Sequence, residues 1–191
     1  TMSLLSKLQA ATSAASELES LAGLSTAMPL LSKGDYPVIL TLEVVDKKDD
    51  PSKKNVVVSA KTIYEQDGLA DSQTVPINAG YNMRKYLPLQ AGKQKDPEAW
   101  RKDIKRFIEQ VTPDADFNQS MMVLLSATHG AMVYASVVTE PGQGDFGPSN
   151  RIVKFRTADP TVTAQWDADL PEGLRPVEVD EDEDDSDSED S

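Results

Sequence analysis

The sequence predicts a mainly β protein with helices, an α+β chain in which a helix separates the third strand of five from the fourth. Three observations carry this reading. From residue 34 the apolar positions recur every second residue, the period of a half-buried strand. One strong helical period lies in "DPEAWRKDIKRFIEQV", in the middle of the chain. The alternating stretches before and after it are broken by charged, Pro-bearing or Gly-rich segments, which read as turns and loops.

In chain order, residues 3–22 place Leu4, Leu8, Ala11, Ala15 and Leu18 at a 4-3-4-3 spacing, with Gly23 as a stop. Residues 1–30 are therefore expected as an N-terminal helix or arm. It packs on the domain, pairs with another copy to make a homo-oligomer, or stays mobile. "DYPVILTLEVVD" alternates Val38, Leu40, Leu42 and Val44 with Ile39, Thr41, Glu43 and Val45, a first strand. "KKDDPSKK" reads as a loop and "NVVVSAKTIY" as a second strand. Asp67-Gly68 marks a turn, and "QTVPI" a short third strand with Pro76 at an edge or end.

"NAGYNMRKYLPLQAGKQK" reads as a loop with two tyrosines. The helix follows, with Asp96 as N-cap and Pro97 at its first helical position. Trp100, Ile104, Phe107, Ile108 and Val111 form its apolar face, and Thr112-Pro113 ends it. "FNQSMMVLLSATHG" fits a short helix or a buried strand. "AMVYASVVTE" is a fourth strand, with Val133, Ala135 and Val137 on one side. "PGQGDFGPSN" is a loop. "RIVKFRTA" is the last strand, with Ile152 facing one way and Val153 and Phe155 the other. Residues 160–177 read as a linker. Residues 178–191 read as a disordered acidic tail, too polar to offset the entropy of ordering.

Five strands with a helix between the third and fourth is the order of an OB-fold, a small Greek-key barrel. Residues 31–159 are the expected OB-like domain. A generic α+β sandwich fits the same order.

The net charge is −13 over 191 residues, but the tail supplies 10 of the 32 acids. The rest carries 22 acids against 19 Lys and Arg, a net of −3, so acidity belongs to the tail more than to the body. The chain has no cysteine, which excludes disulfides, thiolate metal sites and a Cys nucleophile. Its one histidine, His129, has no second His or Cys with which to build a metal site or triad. "GQGDFG" lacks the strand–helix context of a phosphate loop. The reading is therefore of a non-enzyme with no cofactor and no metal. The N-terminal stretch does not read as a signal peptide, and no apolar run approaches a membrane span. A cytoplasmic protein with no membrane partner is expected.

Specific stretches resemble a family. "LLSKGDYPVILTLEVVDKK" is similar to the opening of phage single-stranded DNA-binding proteins of OB type, with a Gly-acidic-Tyr entry to the first strand, a charged hairpin and a Val-rich second strand. "GAMVYASVVTEPGQGDFGPSNRIVKFRTAD" resembles their last hairpin, and the acidic tail is a third shared feature. The likeness covers about residues 33–158 plus the tail. It implies sequence-independent binding of single-stranded DNA in phage replication or recombination, in the host cytoplasm. It also implies a tail that competes with DNA for the groove and recruits replication or recombination proteins. This chain departs in having no apolar residue after Val179, so the electrostatic role of the tail is the better supported of the two.

Such binding needs cations along the phosphates and aromatic faces under the bases. Residues 84–106 hold eight basic residues against three acidic ones, a local +5. Arg84, Lys85, Lys93, Lys95, Arg101 and Lys105 are candidates there, with Tyr81 and Tyr86 flanking the first pair. For the helix, an ordinary solvated charged face is the competing reading. The first hairpin offers Lys47, Lys48, Lys53, Lys54, then Lys61 and Tyr64. The last offers Tyr134, Phe146, Arg151, Lys154 and Arg156, with Arg151 and Lys154 expected on opposite faces. The alternative function is an acidic-tailed interaction or virion assembly protein, chaperone-like, that binds no DNA.

Overall fold

A computed structural model describes residue 6, residues 27–93 and residues 95–177. The expected helix at 3–22, Ser6 apart, and the tail at 178–191 lie outside these residues. The described chain runs β1 (Leu30–Leu31), β2 (Gly34–Lys47), β3 (Asp50–Thr62), β4 (Gln66–Ala70), β5 (Gln73–Ile77), β6 (Asn82–Pro88), α1 (Ala99–Val111), α2 (Met121–Ser126), β7 (Met132–Glu140), β8 (Ser149–Arg156) and α3 (Pro160–Asp169). A 3-10 turn follows at Glu172–Leu174. The class is α+β and mostly antiparallel.

Among the described residues eight strands form two sheets rather than five forming one. The larger sheet has the order β6-β3-β2-β7-β8, and a small one has β1-β4-β5. In the larger sheet the two-residue period decides what is buried. Val38 and Leu40 of β2 face the core opposite Thr62 and Ala60 of β3. Met83 and Leu87 of β6, and Val133, Ala135 and Val137 of β7, join them. α1 lays Ile104, Phe107, Ile108 and Val111 on the same core, and Phe107 meets Phe155 edge-on at 5.6 Å. Burying each such side chain is worth about 1.5–3 kcal/mol. The helix pair α1–α2 falls between the third and fourth strands of the larger sheet. The segment with two possible readings is helical at Met121–Ser126, where Ser120 caps by accepting from the Val123 N–H.

Several expectations are corrected. "KKDDPSKK" is not a loop: β2 and β3 run on to a two-residue tip, Lys48-Asp49. Asp46 pairs with Lys54 but Lys47 with Asp50, so Pro51, Ser52 and Lys53 bulge out, which accommodates a proline that has no N–H for the ladder. Asp67-Gly68 is not the turn but lies inside β4. The turn is Asp71-Ser72, where both φ are positive, the geometry that matches strand twist in a two-residue hairpin. Gly68 is needed for a different reason: a Cβ there would lie 2.2 Å from the Ile77 side chain. Seven residues of the expected loop at 78–95 are strand β6, paired along β3 from Asn55↔Pro88 to Lys61↔Asn82. Asp96 is not the N-cap. The helix starts two residues later, and the Asp96 side chain accepts from the Glu98 N–H and Lys102 instead.

In β8, Ile152 pairs with Val137 and Lys154 with Ser136, so Val153 is an unpaired bulge. The bulge restores the inward phase. Ile152 and Phe155 both enter the core, whereas Val153 stands exposed, contrary to the expected alternation. β6 and β8 are the outer strands of the sheet and do not pair with each other. α1 lies along β8, and its Gln110 accepts the Phe155 N–H at 2.9 Å.

Residues 160–177 are no linker. Pro160 opens α3, and Trp166 and Leu170 pack on Ile39 and Ile63 from the opposite side of the sheet to α1. Arg175 closes the segment on Asp167 at 3.0 Å. The folded unit therefore extends well past residue 159. No helix among the described residues is long and apolar enough to cross a membrane.

Candidate nucleic-acid interface

Because Val56, Val58 and Ala60 face the core, Val57, Ser59 and Lys61 face the other way. The β3–β6 register puts Tyr86 opposite Val57, Arg84 opposite Ser59, and Asn82 opposite Lys61. Lys61, Arg84 and Tyr86 thus share one outer face. Tyr86 is 56% exposed, Arg84 is exposed, and neither Lys61 nor Arg84 has an ion pair among the described residues. An exposed aromatic ring on a face that also carries cations is the combination that stacked bases and their phosphates require.

Two hairpins add to this set. At the β2–β3 tip Lys47 and Lys48 are exposed, whereas Lys53 is bridged to Asp50 at 3.3 Å and Lys54 to Asp46 at 2.6 Å. The β7–β8 loop presents Phe146, 81% exposed. That loop folds on itself: Phe146 N–H donates to Gln143, and a Cβ on Gly142 would sit 2.2 Å from the Phe146 carbonyl oxygen. Gly142 is what lets the chain pass under the phenylalanine.

On β8 the bulge changes the expected faces. Arg151 pairs opposite Val138, Lys154 opposite Ser136 and Arg156 opposite Tyr134, so all three cations lie on one face. They are not equally available. Arg151 bridges Glu140, and Arg156 bridges Asp35 at 3.2 Å. Ser136 donates to Asp35 at 2.5 Å, and with Arg156 this holds the carboxyl below its usual range. Lys154 has no ion pair among the described residues. Lys93 and Lys95 are exposed in the connection between β6 and α1.

The fold engages the other candidates. Tyr81 is half-buried and donates its hydroxyl to Asn150 at 2.9 Å, and burial raises its pKa. Asn150 also pairs in both directions with the Leu31 peptide, which ties β1 to β8. Tyr134 is held edge-on by Trp166 at 4.8 Å, with the Arg156 guanidinium over its ring at 4.5 Å. Tyr64 donates to Asp169 of α3. Lys85 stands opposite Val58, an inward position, and is half-buried on the α1 side. The helix face is self-neutralised: Arg101 bridges Glu98, Lys102 Asp96, Lys105 Glu109 and Arg106 Asp103. Asn82 and Ser59 are polar members of the outer face that only the strand register reveals.

His129 accepts the Leu42 N–H on Nδ1, a structural role. Among the described residues no group of His, Cys, Asp and Glu is placed to hold a metal ion. No family model matches the chain, and a search of curated proteins finds no match.

Proposed function

We propose that this protein binds single-stranded DNA without sequence preference, on an OB-type barrel, in phage replication or recombination. The observation that carries the proposal is the outer face of β3 and β6, along which exposed Tyr86, exposed Arg84 and partly exposed Lys61 follow one another, neither cation having an ion pair among the described residues. Numbered along the larger sheet alone, the strand order is 3-2-1-4-5 with the helices between the third and fourth, an order that agrees with an OB barrel. OB-folds bind oligonucleotides on the face of their second and third strands, between the first and last hairpin loops. Those places hold Lys61, Arg84 and Tyr86, the lysine-bearing tip at Lys47 and Lys48, and the loop with Phe146. Stacking without base-edge hydrogen bonds is tolerant of sequence. The acidic tail competes for this face, because a tethered polyanion has a high local concentration at a nearby basic surface.

The test is fluorescence anisotropy of labelled oligo(dT) and of the matching duplex at low and moderate salt. Binding to the single strand that weakens with salt, and weaker binding to the duplex, are expected.

A second reading has its own observation. α2 leaves Met122 about half exposed beside exposed Val44, an apolar strip on the core-facing side of β2, and Val123 is half exposed on the same helix. That strip suits an interaction or assembly protein that binds no DNA. No oligo(dT) binding, with or without residues 178–191, would select it.

A further inference from the structure

We propose that the seam between β6 and β8 is a phosphate notch, in which Lys85 and Arg106 hold one backbone phosphate of bound single-stranded DNA beside the base on Tyr86. The proposal rests on the single-stranded DNA reading and adds a contact that reading does not require.

The seam is a cleft lined by Lys85, Tyr86, Asp103, Arg106, Gln110 and Val153. Three features of the fold keep it open. β6 and β8 do not pair. Val153 is bulged out of the β7–β8 ladder and stands exposed on the cleft wall. Gln110 occupies the Phe155 N–H with its carbonyl oxygen, leaving its amide nitrogen as a further donor.

Lys85 is the group that this architecture does not explain. Its register position faces inward, where its neighbours along β6 are Met83 and Leu87. It is half-buried, yet its ammonium has no ion pair and no hydrogen bond with a described residue. Burial lowers its pKa; Arg151 and Arg106 lower it further, and Asp103 opposes them. Asp103 is already bonded to Arg106 at 2.9 Å. A cation drawn partly out of water, near two like charges and facing a carboxylate already shared with Arg106, gains when a further anion arrives. Arg106 offers the fork geometry that suits phosphate oxygens. Tyr86 lies on both the outer face and the cleft wall, so a nucleotide stacked on its ring has its phosphate beside the seam.

The experiment is the salt dependence of oligo(dT) affinity for the full chain, compared among wild type, K85Q, K85R, K85M and K61Q. Each phosphate neutralised on a single strand contributes about 0.7 to the slope of log K against log salt. K85Q is expected to flatten the slope by about 0.7, and K85R to keep it. K85M preserves the packing of the aliphatic stem and carries the test if K85Q does not fold. An unchanged slope in K85Q and K85M, with K61Q flattened, overturns the notch and leaves the DNA reading standing. Tighter DNA binding by K85Q also overturns it, because the occupant is then the chain's own acidic tail. No binding by the wild type at low salt removes both readings.

Discussion

Tyr64, just past the end of β3, donates its hydroxyl to Asp169 at the end of α3 at 2.7 Å. The bond ties the C-terminal helix to the sheet directly beside Trp166. Burial first, and then the Asp169 carboxylate, push the Tyr64 hydroxyl up to about 12.

The pH dependence follows in sign. An unfolded tyrosine ionises near pH 10. Below that both states hold the proton, and the contribution is whole. As pH rises through the interval from about 10 to about 12, the unfolded state ionises first and stability is lost. Urea midpoints measured through this range should fall, and Y64F should fall less steeply. An equal fall in Y64F would remove Tyr64 from the account.

Trp166→Ala tests whether α3 belongs to the domain. Trp166 is buried against Ile39, Ile63 and Tyr134. Removing so large a buried side chain costs about 3–5 kcal/mol. A tryptophan on a linker would cost almost nothing. Urea denaturation of W166A separates these outcomes.

Tyr86 and Tyr81 separate binding from folding. Tyr86→Ala is expected to lose about 1–3 kcal/mol of oligo(dT) binding, with thermal stability little changed. Tyr81→Phe removes the hydrogen bond to Asn150 and should destabilise by about 1 kcal/mol while leaving affinity intact. Anisotropy and thermal melts on the two variants give the comparison. The reverse pattern would place the stacking surface elsewhere.

The strands and the main helix were legible because their periods are strong: alternation in 38–45 and 132–138, and the stripe of Trp100, Ile104, Phe107, Ile108 and Val111. β6 was not legible, because Pro88 and the dense charge of "YNMRKY" hide an alternation of Met83, Lys85 and Leu87 that is apolar at only two of three positions. α3 was missed because one tryptophan, rather than an apolar stripe, anchors it. The candidate site was legible as a list of cations and aromatics, but not as a surface. Lys85 and Tyr86 are adjacent in sequence and face opposite sides of β6. Arg151 and Lys154 look opposed until the bulge at Val153 turns them to one face.

Two of the α1 cations, unlike Arg106, are a control for that surface. Arg101 and Lys105 are each paired along the helix, and their stems lie on Trp100 and Phe117. Pairs of this kind are weak but hold little net charge for a distant ligand. Changing both residues to Gln should alter oligo(dT) affinity less than Arg84→Gln alone, at matched salt. A larger loss from the helix pair would move the DNA path onto α1.

The tail gives the most general test of the electrostatic reading. Residues 178–191 carry ten acids and no base, and they follow directly on a segment held to α3 through Arg175 and Asp167. On the proposed reading, a polyanion tethered so close would compete with DNA for the same cations. Deleting 178–191 should therefore tighten oligo(dT) binding at low salt. The advantage should shrink as salt rises, because screening weakens tail and DNA alike. The comparison is between the full and truncated chains by anisotropy over a salt series. Equal affinity at every salt would mean that the tail does not reach the face of Lys61, Arg84 and Tyr86. Weaker binding by the truncated chain would mean that it supports that face rather than occupying it.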